Sequence, residues 1–340
     1  MITHPGVKLN LGLRVLGKRP DGYHDLDTLF YPCDAFSDTL EIITGDDYSR
    51  TSASLFERYQ PGEIVQGLAD DGSVMITIAR RGGVDWDPLK DLTVKAVRLL
   101  AERYKLPALK IFLEKTSPVG AGLGGGSADG AFALRMVNEL CSLGLSDASL
   151  STLAAQLGSD CPFFIYNRPM LGSGRGEILT PYDLDLSGYE VRVIVPAGIA
   201  VSTAEAYRGL RRSADSGDKP RADAVEARKV ADGLHGAAGD GSVADGLHGA
   251  AGDGLVAGVL NGSAEDGLVA GGRVAVAEVL SRPVSEWKGL LVNDFEASVF
   301  PLHPALAEIK ASLYAEGALY ASMSGSGSAL FGIFPLPSVG

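Results

Sequence analysis

The segment SPVGAGLGGGSADGAFAL, Ser117–Leu134, decides how the rest of the chain is interpreted. It carries five glycines before Ser127 and then an alanine-rich stretch that predicts a helix. The apolar run Leu109–Glu114 precedes it and predicts a strand. A strand, a glycine loop and a helix in this order present bare backbone N–H groups and a helix N-terminus, which together bind anions. Glycine suits such a loop because a Cβ would block a phosphate and exclude left-handed backbone conformations.

Two familiar phosphate motifs match the sequence only in part. Gly120–Gly125 satisfies G-x-G-x-x-G, but no acidic residue follows about twenty residues later at a strand end, as a dinucleotide site requires. Gly12–Lys18 satisfies G-x-x-x-x-G-K, yet Arg19 replaces the required Ser or Thr. Both motifs are therefore disfavoured. A flexible linker is disfavoured as well, because the loop passes directly into a helix.

Apolar periodicity elsewhere predicts a chain of mixed strands and helices. The alternation over 7–15 predicts a half-buried strand that places Lys8 and Asn10 on one face. A second block of strands and helices is predicted over 176–334. Between these, strands are predicted over 38–43 and 74–79, and helices over 92–104, 127–141 and 150–157.

Composition and charge exclude several functional classes. The 340 residues are 46% apolar, enough to bury a core without disulfides or metal. A net charge of −12 argues against binding to nucleic acid or to an anionic membrane. No stretch predicts a transmembrane helix, and the first residues lack the pattern of a signal peptide. The three cysteines occur singly, which is typical of a reducing compartment, and no His or Cys spacing predicts a metal site. A cytoplasmic location is expected.

A glycine-rich repeat interrupts the second half of the chain. VADGLHGAAGDGS from Val230 recurs almost unchanged from Val243 and, degraded, from Val256. The stretch 231–272 has six acidic residues and no Lys or Arg. Because glycine at this density disfavours helix and strand alike, we predict an exposed, flexible insertion at about 212–272. A binding array is the alternative.

The glycine loop PVGAGLGGGSADGA resembles the phosphate-binding loop of the GHMP kinases, a family of small-molecule kinases. The resemblance runs from about Val7 to Phe334 with the repeat excluded. It is supported by KLNLGL at Lys8, RPDGYHDLDTLF at Arg19, LGSDCPFF at Leu157, GRGEILTP at Gly174, NDFE at Asn293 and SMSGSGSALFGIF at Ser322.

The resemblance implies the α+β fold of that family. An N-terminal nucleotide-binding domain would span 1–171 and hold the phosphate loop at 117–130. A ferredoxin-like C-terminal substrate domain, interrupted by the repeat, would span 172–334, and 335–340 would be a short tail. The active site would lie between the two domains.

The resemblance also implies roles for individual residues. Asp160 would be the general base, and Lys8 would orient the alcohol and stabilise the developing charge. ATP, bound as its Mg²⁺ complex with no protein metal site, would lie on Pro118, Gly120, Gly122, Leu123, Gly124, Gly125, Gly126 and Ser127. The substrate would meet Asn10, Tyr23, His24 and Tyr207, the last three around a cytosine ring. A third loop, Gly325–Gly327, would pack beside the phosphate loop.

The implied activity is ATP-dependent phosphorylation of the 2-hydroxyl of 4-diphosphocytidyl-2-C-methyl-D-erythritol, in the non-mevalonate route to isoprenoid precursors. Another GHMP kinase activity, on homoserine or mevalonate, is the second hypothesis. A nicotinamide-dependent oxidoreductase and a non-catalytic protein with a degenerate kinase body are the third and fourth. The expected partners are a small-molecule substrate and ATP, without nucleic acid or membrane, and the expected assembly is a monomer or a homodimer.

Overall fold

The computed structural model describes residues 1–215 and 274–336, so the repeat at 230–268 and the last residues of the predicted tail lie outside the described residues. In this part of the chain the strands are β1 (Ile2–Thr3), β2 (Gly6–Lys18), β3 (His24–Ser37), β4 (Thr39–Thr44), β5 (Ile64–Leu68), β6 (Val74–Arg80), β7 (Leu109–Lys115), β8 (Met170–Ser173), β9 (Ile178–Pro181), β10 (Tyr189–Ile194), β11 (Tyr320–Met323) and β12 (Leu330–Pro335). The α-helices are α1 (Ser52–Arg58), α2 (Leu92–Ala101), α3 (Gly125–Leu140), α4 (Asp147–Leu157), α5 (Cys161–Tyr166), α6 (Thr203–Asp215), α7 (Val276–Leu280), α8 (Glu296–Val299) and α9 (Pro304–Ala315).

A five-stranded sheet in the order β1-β4-β7-β6-β5 carries the glycine loop at the end of β7. Strands β6 and β7 are parallel and are joined through α2, whereas the other neighbours are antiparallel. The branched side chains Ile42, Ile76 and Ile111 are fully buried in one cluster with α2, α3, α4 and α5. This layer of helices and sheet fixes the position of α3, the helix that follows the glycine loop.

Strand β2 pairs with β3 along most of its length, and β8 and β9 complete a four-stranded sheet. The prediction that β2 is half-buried is wrong, because both of its faces are covered. Its apolar residues pack with Trp287 and Phe331 from the C-terminal part of the chain. Its polar residues Lys8 and Asn10 are only 3% and 2% exposed, since the glycine loop and the chain around Ser324 cover that face.

The C-terminal part forms a three-stranded antiparallel sheet in the order β10-β12-β11 within the described residues. Helix α9 packs against β11 and β12 and buries Leu306 and Leu313 beside Phe334. Side chains of β2 lie in the same clusters as those of β12, so the two halves of the described chain share a core.

The predicted elements are confirmed with shifts at their ends. The helix predicted over 127–141 begins two residues earlier, at Gly125, with Gly124 in a left-handed conformation as its N-cap. The helix predicted over 92–104 ends at Ala101. No helix among the described residues combines the length and the apolar character needed to cross a bilayer.

Candidate active site

The glycine loop connects β7 to α3 and takes backbone conformations that favour glycine. Gly120, Gly122 and Gly124 have φ values of +72°, +78° and +74°, which side-chain-bearing residues rarely adopt. A Cβ on Gly125 would overlap Ser117 Oγ, so this residue must also be small. The loop therefore needs its glycines for conformation and for close packing, and it leads the chain directly into the N-terminus of a 16-residue helix.

Main-chain hydrogen bonds hold this loop between β2 and the C-terminal sheet. Lys8 N donates to Leu123 O at 2.9 Å, and Ala329 N donates to Ala121 O at 3.0 Å. Gly122 lies so close to the third loop that an added Cβ would overlap Ser324 O. The predicted third loop thus lies against the phosphate loop.

A cavity of about 450 Å³, here called the loop cavity, opens over the glycine loop. Its lining includes the predicted nucleotide residues Pro118, Gly120, Gly122, Gly124, Gly125, Gly126 and Ser127, together with Trp86, Lys90, Asp91, Leu92, Lys95, Lys115, Val119 and Ala121. Lys90 and Lys95 beside bare glycine backbone suit a polyphosphate, and the Trp86 indole offers a surface for a flat base. Leu123 differs from the other predicted residues, since its side chain is fully buried and its carbonyl is bonded to Lys8.

Lys8 and Asp160, predicted from distant parts of the sequence, meet beside the loop. Lys8 Nζ lies 3.5 Å from Asp160 Oδ2 and 5.5 Å from the centroid of the Phe30 ring. Asp160 precedes α5, but its side chain makes no capping hydrogen bond to that helix. The carboxylate is 31% exposed, whereas the lysine side chain is 4% exposed. Asp160 is therefore available to a ligand rather than used as a helix cap.

Asn10 links the lysine to strand β3 and to Ser324, the residue that follows β11. Its Oδ1 accepts a hydrogen bond of 2.5 Å from Lys8 Nζ, and its Nδ2 donates to Thr28 Oγ1 at 3.0 Å. The Asn10 backbone N donates to Ser324 Oγ at 3.3 Å. These bonds fix the side-chain conformations of Asn10 and Lys8 on the polar face of β2.

A second cavity of about 500 Å³, the inner cavity, brings these groups together. It shares Leu92, Gly120, Gly122, Gly124 and Ser127 with the loop cavity, so the two cavities border the same glycine loop. Its other lining residues include Lys8, Asn10, Phe30, Asp160, Arg175, Tyr207, Gly325 and Ser326. An anion held on the loop and a hydroxyl beside Asp160 would both lie in this space.

The outer cavity, of about 650 Å³, contains the predicted base-binding residues Tyr23, His24 and Tyr207. The His24 and Tyr207 rings stack with centroids 4.7 Å apart and an interplanar angle of 21°. Tyr23 is 55% exposed, and the Arg175 guanidinium lies 4.8 Å from its ring centroid. Burial raises the pKa of Tyr207, and the nearby charge of Asp160 raises it further, so its hydroxyl stays protonated. The structure thus brings all three aromatic residues to one place.

Comparison with known proteins identifies the family. Two families, described as GHMP kinases N terminal domain and GHMP kinases C terminal, match residues 91–168 and 276–339. A 4-diphosphocytidyl-2-C-methyl-D-erythritol kinase of Parabacteroides distasonis is 36% identical over 99% of this chain and 93% of its own length. One of the same name from Bacteroides fragilis is 38% identical over 98% of this chain and 92% of its own length. The chain belongs to the GHMP kinase family.

The solved structures agree with this assignment. A 4-(cytidine 5'-diphospho)-2C-methyl-D-erythritol kinase structure matches with a TM-score of 0.60 and 25% identity, over 98% of this chain and 90% of that chain. A homoserine kinase from Cytophaga hutchinsonii shares the fold with a TM-score of 0.53 at 16% identity, over 98% of this chain and 84% of that chain. The predicted α+β GHMP kinase fold and the prediction of an ATP-dependent small-molecule kinase are confirmed.

This GHMP kinase also has a buried charged cluster that the sequence analysis missed. Lys115 Nζ bonds to Asp38, to Asp129 Oδ2 at 2.6 Å and to Ser117 Oγ at 2.8 Å. The cluster joins the end of β7 to α3 on either side of the glycine loop. Burial raises the pKa of Asp129 well above its ordinary value, and Asp129 Oδ1 has no hydrogen-bond partner among the described residues. The sequence does not indicate that charged residues so far apart along the chain will contact each other in the folded protein.

Two further groups in the kinase carried no sequence signal. Trp86 and Lys95 line the loop cavity from the chain before and within α2, a part of the chain without a recognisable motif. Arg175 lies within the quoted GRGEILTP segment but had no predicted role. Among the described residues, no group of three or more His, Cys, Asp or Glu residues could hold a metal ion.

Proposed function

We propose that this kinase transfers the γ-phosphoryl group of ATP to the 2-hydroxyl of 4-diphosphocytidyl-2-C-methyl-D-erythritol. The names of the similar enzymes support this substrate. The observation that carries the proposal is the pairing of Lys8 with Asp160 in the inner cavity. This cavity shares lining residues with the loop cavity and with the aromatic outer cavity.

In this proposal Asp160 accepts the proton of the attacking hydroxyl. Its carboxylate lines the inner cavity and is free of helix capping, so it is available to a ligand while Oδ2 stays beside Lys8. ATP supplies the phosphoryl group, and ADP leaves with the electrons of the broken phosphorus–oxygen bond. The hydroxyl proton ends on Asp160 as the new oxygen–phosphorus bond forms.

Lys8 stabilises the negative charge that develops between acceptor and donor. Its ammonium group is 3.5 Å from Asp160 Oδ2, and Asn10 holds it from the other side. A fixed cation in a site with little water stabilises such charge more strongly than a solvated one would. Asn10 therefore acts on the reaction through the position of Lys8.

The glycine loop holds the phosphates of ATP. Bare N–H groups and the N-terminus of α3 suit an anion, and Lys90 and Lys95 in the lining of the loop cavity add positive charge. Mg²⁺ is proposed to enter as the metal complex of ATP, with phosphate oxygens and water as its main ligands.

The outer cavity is proposed to hold the cytosine ring. The Tyr207 ring stacks on His24 and packs at 83° against Phe295, whereas Tyr23 is 55% exposed. Tyr23 therefore offers the more accessible aromatic surface to a base, with Tyr207 beside it in the cavity lining. His24 is proposed to bind the base edge by hydrogen bonds, as a polar group in an otherwise aromatic site.

The enzyme is further proposed to work in the cytoplasm, where free Cys33, Cys141 and Cys161 stay reduced, as a monomer or a homodimer.

The deciding experiment measures ADP release with three alcohols offered separately: the cytidyl substrate, homoserine and mevalonate. We expect turnover with the cytidyl substrate alone. Turnover with homoserine or mevalonate instead would replace the proposal with the second hypothesis. NAD(P)H absorbance, recorded in parallel, tests the oxidoreductase hypothesis, and we expect no change in it.

A further inference from the structure

Arg175 occupies the junction of the inner and outer cavities. Of the described residues that line both cavities, it is the only charged one; the others are Leu157, Gly158, Ser159, Thr203 and Tyr207. If the base lies among the aromatic residues of the outer cavity and the acceptor hydroxyl lies beside Asp160, the group between them must cross this junction. In the proposed substrate that group is a diphosphate.

The conformation of Arg175 leaves its terminal amino groups available. The residue lies in the turn between β8 and β9, where its backbone N donates to Glu177 Oε2 at 2.6 Å and its Nε donates to Glu177 Oε1 at 3.3 Å. The guanidinium lies 4.8 Å from the Tyr23 ring centroid. Neither terminal amino group bonds to a described residue.

Other cations near the junction are less suited to this role. Lys8 lies deeper, and it is held by Asn10 and paired with Asp160. Arg208 lines the outer cavity only, and its Nε donates to Ala204 O. A guanidinium with two free amino groups can donate a pair of parallel hydrogen bonds to phosphate oxygens, which an ammonium group cannot do.

We propose that Arg175 is a specificity-determining residue that binds the diphosphate of the substrate and so selects nucleoside diphosphate compounds over uncharged cytidine derivatives. The inference rests on the proposed function. Glu177 holds Nε and thereby orients the terminal amino groups of Arg175. The guanidinium also lies over the Tyr23 ring, so the residue that binds the diphosphate contacts a residue that binds the base.

The test compares the binding of cytidine, CMP and CDP to the full-length wild type and to Arg175→Met by calorimetry at one low salt concentration. Charge-assisted hydrogen bonds to phosphate are strong, so we expect the variant to bind CDP about 10-fold or more weakly. Cytidine has no phosphate, and we expect its dissociation constant to change less than about 2-fold. Arg175→Lys keeps the charge without the paired donors, and an intermediate loss of CDP binding is expected.

Arg192→Met is the matched control. Like Arg175, Arg192 bonds through Nε to a glutamate two residues away and lies over an aromatic ring, that of Phe334, but it lines neither cavity. We expect it to leave the binding of all three compounds unchanged.

Equal weakening of cytidine and CDP in Arg175→Met would overturn the inference, because it would show that the residue only supports Tyr23. Unchanged CDP binding would overturn it as well. Failure of the wild type itself to bind cytidine or CDP would instead reject the proposed function, so the two failures are distinguishable.

Discussion

Asp160 Oδ2 lies 3.5 Å from Lys8 Nζ, with the lysine buried and the carboxylate partly open to the inner cavity. The two residues come from opposite ends of the N-terminal region, one from the first long strand and the other from the turn before α5. Because they differ in solvent exposure, the two residues have different roles. The buried cation is fixed in place, and the exposed carboxylate is the one that can exchange a proton with a ligand.

We therefore expect Asp160→Asn to lower kcat by about 10²- to 10⁴-fold, the usual contribution of a general base. The amide keeps the shape of the side chain but accepts no proton, so ATP should bind nearly as tightly as to the wild type. Steady-state kinetics and a nucleotide titration test the two parts separately. A variant that kept more than about a third of kcat would remove Asp160 from the role of base.

Replacing Tyr23 and His24 together by Ala should raise KM for the cytidyl substrate far more than KM for ATP. Both residues line the outer cavity, and neither lines the loop cavity. The double substitution removes the aromatic ring of Tyr23, and it also removes the His24 ring that stacks on Tyr207 in the wild type. Tyr48→Ala serves as the control, since Tyr48 is 95% exposed. Equal rises in both KM values would show that the segment supports the fold rather than the base.

Gly122→Ala should damage the nucleotide site more than Gly120→Ala does. The two glycines have nearly the same positive φ, so the conformational penalty of about 1–2 kcal/mol is common to both. Of the two, only Gly122 has another segment in the way of a Cβ, namely Ser324 O next to the third loop; at Gly120 nothing lies within 4 Å. Overpacking of this kind costs about 1–3 kcal/mol more. Thermal melting and KM for ATP measure the difference, and indistinguishable variants would contradict the observed packing of the two loops.

Stability should depend on pH through Asp129. Burial raises the pKa of its carboxyl well above the ordinary value, whereas in the unfolded chain it ionises above about pH 4. Its contribution to the free energy of unfolding is therefore largest at low pH and falls as pH rises from about 4 through the raised pKa. Asn cannot ionise, so the Tm of Asp129→Asn minus that of the wild type should increase over this range.

The control for that experiment is Asp71→Asn. Hydrogen bonds from the Ser73 hydroxyl and backbone lower the pKa of Asp71. Its carboxylate therefore stabilises the fold at a pH above the pKa of the unfolded state, and this stabilisation is lost as pH falls through the lowered pKa of the folded state. The Tm difference between this variant and the wild type should then change with pH in the opposite direction. If the Tm differences of the two variants changed with pH in the same direction, the raised pKa of Asp129 would be contradicted.

Deleting the repeat, residues 230–268, should leave kcat unchanged. The stretch has no basic residue to bind phosphate, and its near-identical copies argue against a unique place for any one of them in a core. Closing the chain with a short Gly/Ser bridge changes the loop entropy by only about 0.6 kcal/mol per twofold change in length. Activity and Tm of the deletion variant are the measurements, and loss of soluble protein would show that the repeat packs against the rest of the chain.

The sequence predicts the parts of the site that lie in continuous motifs. The glycine loop could be recognised because its function requires many glycines in a row between a strand and a helix, and the structure places them as predicted. Lys8 and Asn10 followed from alternation along one strand. The error about β2 arose because alternation shows which residues share a face but cannot show whether a polar face will be covered by another part of the chain.

Residues that act singly could not be found in this way. Lys115, Asp38 and Asp129 form one buried cluster, yet Asp38 lies 77 residues and Asp129 lies 14 residues from Lys115 in the sequence. Charged residues are usually solvated, so their burial together could not be expected. Trp86 and Arg175 likewise become significant only through the cavities that they line. Such groups depend on tertiary packing, and local periodicity carries no information about it.

The hydrogen bond from Lys8 N to Leu123 O sets the spacing between the phosphate loop and the strand that holds the acceptor-side lysine. Both atoms belong to the main chain, so this hydrogen bond does not depend on the chemical identity of the Lys8 or Leu123 side chain. The outer cavity, in contrast, is lined largely by side chains such as those of Tyr23, His24 and Tyr207. The same phosphate loop can therefore be combined with other side chains in the outer cavity, and so with another acceptor alcohol, while this main-chain hydrogen bond is kept.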